Sequence, residues 1–311
     1  MKQLIIPVKS IPVSSFAGAL NPLWDIYHKV GSANEPVSIL LDFSVCRFVH
    51  PFLLSGLLAG IETWRAEGKV LSYDAINVQA SLKGYLHTIR FPEGLNNLTI
   101  SEDDCAEVFN SFKGKTFIPI VKFPASQFTN SVRIRETMLE SLNDLLLNQL
   151  HHDKGLRDPI NYLVSEITQN TVHHSKAVEG IVSAQFYPKV GVLDICLCDT
   201  GQGFLQSYIN SVRHQYEVSD HTSAMRLAVT GNSTKDAPET RGYGISTSRR
   251  LITEGLGGKI VIWSGDAIFL QNSEKESIVS VGGSLSFTGC YVAIRIPAAL
   301  PNGFDLYNFV T

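Results

Sequence analysis

Three short stretches in the second half of the chain hold residue types that can act together on a charged ligand. They are Glu166-Ile-Thr-Gln-Asn170, Asp199-Thr-Gly-Gln-Gly203, and Arg241-Gly-Tyr-Gly244 followed by Ile-Ser-Thr. In the first, a carboxylate and an amide stand at i and i+4, which puts both on one side of a helix. In the second, an aspartate ends an apolar run and two glycines break it. In the third, Gly242 and Gly244 precede a helical pattern, where free backbone N–H groups can receive phosphate. The combination describes a nucleotide site divided among three segments.

The elements that must position these groups are legible nearby. Asn161 to Ser175 reads as a helix with Leu163, Val164 and Ile167 on its apolar face. Gly191 to Cys198 reads as a buried strand that delivers Asp199. Phe204 to Arg241 is long for a connection, a length typical of functional lids or disorder. Ser246 and Thr247 are candidate caps for a helix running to Gly255. Gly257-Gly258 then releases the chain into a strand from Lys259, and Gly282 to Pro297 holds the last strand.

In this order, the Glu-x-x-x-Asn, Asp-x-Gly-x-Gly and Gly-x-Gly boxes resemble the N box and the two glycine boxes of the GHKL superfamily. That group comprises the ATP-binding domains of gyrase, the ninety-kilodalton heat-shock chaperones, histidine kinases and MutL. The resemblance covers about residues 135–300. It implies an α/β chain whose C-terminal part is a two-layer α/β sandwich of the Bergerat type, binding ATP and Mg2+. By resemblance, Asn170 is the magnesium ligand through its side-chain oxygen. Glu166 is then the group that orients or deprotonates the attacking water or hydroxyl. Asp199 is expected to accept a hydrogen bond from the exocyclic amine of adenine. A keto oxygen there would meet a like partner, so the base is read. Gly201 and Gly203 let the chain turn beneath it. The segment from 204 to 241 corresponds to the ATP lid of the family. Lys235 is expected to reach the γ-phosphate as a point charge, with Gly242 and Gly244 approaching the phosphates. Family members usually carry Gly-Thr on the last strand, beside the adenine. Here that strand has Gly289-Cys290, and Thr288 just before it is the candidate substitute.

Residues 1–125 read as a separate first unit. Leu4 to Val8 is a strand, Ala17 to Val30 a helix, Val37 to Phe43 a strand, Phe48 to Trp64 a helix stopped by Gly68, and Val70 begins another strand. That succession is a βαβ unit of an α/β domain. The text from Leu40-Leu-Asp-Phe43 to Phe48-Val-His-Pro-Phe-Leu-Leu-Ser-Gly-Leu-Leu58 resembles the STAS domains of anti-anti-sigma factors. In that family a phosphorylatable serine or threonine opens the helix. Here His50, Pro51 and Phe52 occupy the position, and Ser55 further along reads as structural. The unit is expected to keep the fold without being the phosphorylated switch. Arg135 to Leu150 is an amphipathic helix assigned to the second domain, 126–311.

Composition bounds the rest. With 311 residues, 44% hydrophobic and 18% charged, the chain is expected to be globular and soluble, with room for two domains. A formal net charge of −3 gives no electrostatic reason for a nucleic acid or an acidic membrane as partner. No apolar run reaches the ~18 residues of a spanning helix, and the apolar stretch after Met1 is too short for a signal peptide. Five cysteines, an odd number, read as reduced core residues, which favours the cytoplasm. His151, His152, His173 and His174 lack the spacing of a zinc site. His152-Asp153 lies too near the N box for the phosphoacceptor helix of a sensor kinase. No Walker loop, Rossmann glycine pattern or nucleophile elbow is present. The expected activity is phosphoryl chemistry on ATP in a signalling protein, as an ATPase or an anti-sigma-type serine/threonine kinase. The alternative is a non-hydrolysing switch in which ATP orders the lid and controls partner binding. A protein partner or substrate is expected, and a homodimer is left open.

Overall fold

The computed structural model describes residues 2–96, 102–126, 128–150, 154–232, 234 and 244–310. Its centre is a mixed sheet of eight strands: β4 Leu95–Asn96, β5 Val121–Pro124, β6 Glu179–Tyr187, β7 Val192–Asp199, β8 Lys259–Gly265, β9 Ala267–Gln271, β10 Glu276–Ser280 and β11 Phe287–Pro297. Their order is β10-β9-β8-β11-β7-β6-β5-β4, antiparallel throughout except for the parallel β4–β5 pair. A second, parallel sheet of three strands is formed by β1 Lys2–Pro7, β2 Val37–Asp42 and β3 Val70–Ile76.

Both faces of the large sheet are covered, which is why β7 is apolar at nearly every position. Leu193, Ile195 and Leu197 join one core, together with Leu163, Val164, Leu251 and Met138. Those partners come from α5 Thr129–Leu150, α6 Arg157–Asn170 and the turn after α9 Gly244–Arg250. Also on this side are α4 Glu102–Ser111, α7 Gly203–Ile209, α8 His221–Val229 and the short C-terminal α10 Tyr307–Val310. Cys196 and Cys198, at the alternate positions of β7, join a different core with Trp263, Phe287 and Tyr291. That core is completed by α1 Asn21–Gly31, α2 Pro51–Ala66 and α3 Ala80–Thr88.

Helix α2 packs across the two parts that the sequence divides near residue 125. Every residue from Pro51 to Ile61 is buried, as for a helix apolar all round. It lies between the three-stranded sheet and the eight-stranded one. Strands β4 and β5, assigned by sequence to the first unit, complete the edge of the large sheet instead. Pro51 opens α2 at its first position, where a missing N–H costs nothing. Ser55 is buried and shares a hydrogen bond of 2.6 Å with Ser183 on β6, the packing role expected of it. Behind β7 and β11, Arg295 grips Asp194 through Nε and Nη2 at 2.6 and 2.7 Å and donates to the Val13 carbonyl. Among the described residues, no helix is long and apolar enough to cross a membrane.

Candidate functional site

Alternation along β7 turns Asp199 toward the helix layer, in register with Leu193, Ile195 and Leu197, which pack on that side. Its side chain is buried, at 3% exposure. Gly201 donates its N–H to Asp199 Oδ1 at 2.9 Å, and Thr171 Oγ1 lies 3.5 Å from Oδ2. Burial pushes the Asp199 pKa up to about 6, against the pull of the Gly201 and Cys290 N–H groups and the Thr171 hydroxyl. A Cβ on Gly201 would stand 2.0 Å from the Ser175 carbonyl oxygen, so the turn closes only around glycine. Gly203 begins α7 with φ +67°, a left-handed conformation that glycine adopts freely.

The predicted helix begins at Arg157, and its last residues, Thr171–Ser175, widen into a π turn. Glu166 and Asn170 are half-buried and face α9. A Cβ on Gly244 would lie 3.0 Å from Glu166 Oε2 and 3.2 Å from Asn170 Nδ2. Gly244 of the third segment therefore lies against the first, at both residues assigned to chemistry. Asn170 Nδ2 is buried and has no hydrogen-bond partner among the described residues. One turn before Glu166, Tyr162 pairs with the Thr247 side chain, and its pKa is pushed up to about 12 by burial and then by the Glu166 charge. Thr247 lies inside α9 and is buried, so it and Ser246 do not cap that helix, which starts at Gly244.

These walls border an open cleft of about 830 Å³, counting the solvent at its mouth. Asn170, Asp199, Gly203 and Gly244 line it together, along with several residues the sequence reading passed over. Phe204, Ser207 and Tyr208 enter from α7 at the i, i+3, i+4 spacing of one helix face. Thr171, His174 and Thr234 add polar groups, with His174 Nδ1 and Thr234 Oγ1 2.8 Å apart. The segment after Phe204 is the one expected as the ATP lid. Through Asn232 it folds as α7 and α8 around a small core of Tyr208, Ala224 and Ala228.

Thr288 is corrected as well. It is exposed and does not line the cleft, whereas Cys290 does. The register of β11 against β8 breaks between Phe287 and Tyr291, where Gly289 takes φ +95°. Ser264 bridges this irregularity to α7, accepting from the Phe204 N–H at 3.0 Å and donating to the Gly289 carbonyl at 2.7 Å. Lys235 and Gly242 lie outside the described residues, as do His151 and His152. Among the described residues no three His, Cys, Asp or Glu side chains gather as a metal site. Comparison of the chain with protein-family models, with curated proteins and with solved structures gives no match.

Proposed function

We propose that the cleft binds an adenine nucleotide with Mg2+ and supports phosphoryl chemistry on ATP, as an ATPase or an anti-sigma-type serine/threonine kinase. The observation that carries this reading is the approach of Gly244 to Glu166 and Asn170. Segments far apart in sequence meet where a triphosphate would need a carboxylate, an amide and close backbone. The fold assigned to the C-terminal part is Bergerat-like, and to the N-terminal part STAS-like. The helix layer on the cleft side of the large sheet supports the first assignment, while α1, α2 and α3 cover the opposite side.

The residues fit the ligands proposed. Asn170 carries a buried amide nitrogen with no partner among the described residues, and a half-turn of the amide exchanges its two ends. Turned that way, it offers magnesium an oxygen. Magnesium keeps most of its waters and takes few protein ligands, so a single amide beside substrate phosphates suits it. When bound, the ion neutralises phosphate charge. Asp199 offers the base a buried acceptor, and Glu166 is the base for a water or hydroxyl proton.

A regulatory switch without turnover is the second reading, favoured by one observation. Tyr291 OH donates to the Phe52 carbonyl at 3.0 Å, so α2 touches the strand whose neighbouring residue, Cys290, lines the cleft. ADP release by wild type and Glu166→Ala separates the two. Phosphoryl chemistry predicts a loss of about 10²- to 10⁴-fold in turnover with nucleotide affinity kept. ATP binding without any turnover in wild type supports the switch.

A further inference from the structure

The turn that carries Asp199 is fastened to the end of α6 at three points, all within the π turn Thr171–Ser175. Gln202 donates its backbone N–H to the Ser175 carbonyl at 2.7 Å. Its side-chain Nε2 donates to the His174 carbonyl at 2.6 Å, while its Oε1 accepts from Asn210 Nδ2 at 3.0 Å. Thr171 Oγ1 is the third point, 3.5 Å from Asp199 Oδ2 and also 3.5 Å from its own helix carbonyl at Ile167. Widened turns of this kind re-aim backbone groups and recur at functional sites.

The two carboxylate oxygens of Asp199 therefore have different company. Oδ1 is held by the Gly201 N–H, and Oδ2 has the Thr171 hydroxyl as its side-chain donor. A buried carboxylate accepts hydrogen bonds along fixed lone-pair directions, so its tilt decides which edge of a base it can serve. Thr171 acts on that tilt directly, and Gln202 acts on it through the turn.

We propose that Thr171 and Gln202 are positioning residues for base recognition. They hold the Asp199 turn against the π turn so that the carboxylate meets an exocyclic amine and disfavours a keto group. This rests on the adenine-nucleotide reading above. It adds two side chains that neither contribute the carboxylate nor belong to the glycine pattern.

The test is calorimetric titration of the full chain with Mg2+–ADP and Mg2+–GDP. Thr171→Val keeps the side-chain shape and removes the hydroxyl, and Thr171→Ser restores it. Gln202→Leu removes the amide and serves as the second variant should the valine protein fail to fold. Thr171→Val and Gln202→Leu are each expected to lower the ADP-to-GDP affinity ratio about 3- to 10-fold, the worth of one hydrogen bond, with serine returning it to wild type. Equal ratios in wild type and in folded variants would overturn the proposal alone. Wild type that binds neither nucleotide would overturn the adenine reading, and this proposal with it.

Discussion

Asp199 is held in a place where a carboxylate is poorly solvated, and that has a measurable consequence for stability. Its pKa in the folded chain is raised to about 6 from the ordinary 3.8. A raised carboxyl pKa means that the folded state binds the proton more tightly than the unfolded state. The destabilisation is absent below about pH 4, grows as pH rises toward 6 and is complete above it. Asp199→Asn is therefore expected to stabilise the empty protein at pH 7.5 by about 1–3 kcal/mol, the advantage closing by pH 4. Urea unfolding at both pH values checks this, and an advantage independent of pH would contradict it. At this scale the sequence was informative where chemistry demands a particular residue type. Asn170, Asp199, Gly203 and Gly244 line one cleft, while Glu166 lies beside Gly244 and Gly201 packs against Ser175 without lining it. Thr288 misled because Cys290, paired with Asp199 in the β7–β11 register, is the residue of that pair of positions that reaches the cleft.

Among the elements, α6 with its π turn brings Ile167, Asn170, Thr171, His174 and Ser175 to the cleft, and its partnership with the Asp199 turn depends on closeness. Gly201→Ala would set a methyl group against the Ser175 carbonyl, so the turn or the π turn must shift. A loss of about 2 kcal/mol or more is expected, visible as a lower melting temperature together with weaker nucleotide binding. A variant of unchanged stability would show that the turn is slack. The body of α6 was legible from its apolar spacing, and β7 from its apolar run. The π turn was not, since Thr171-Val-His-His-Ser175 carries no pattern that distinguishes a wide turn from an ordinary one. Nor were α7 and α8. Each is short, and they bury only a small shared core, which leaves weak periodicity in the text.

For the whole molecule, the decisive feature is that the N-terminal helices share a core with the reverse of the large sheet. Sequence suggested two domains because each half carries its own αβ pattern. Burial of a strand on both faces does not say which element does the covering. A shared core predicts one cooperative unfolding transition, detected together by near- and far-ultraviolet circular dichroism, whereas two separated transitions would contradict it. The buried Asp194–Arg295 pair joins the sheet to the segment at Val13. Asp194→Ala should cost about 3–5 kcal/mol, because a guanidinium is left buried without its partner. The same architecture leaves the cleft on the far side of the sheet from α2, formed by the helix layer and by Asp199 and Cys290. The central claim is that this cleft takes an adenine nucleotide with its metal. Titrating ATP into the full chain with and without Mg2+ tests it most directly. Saturable binding that strengthens with Mg2+ and is lost in Asn170→Ala is the predicted result, and no magnesium-dependent binding would contradict it.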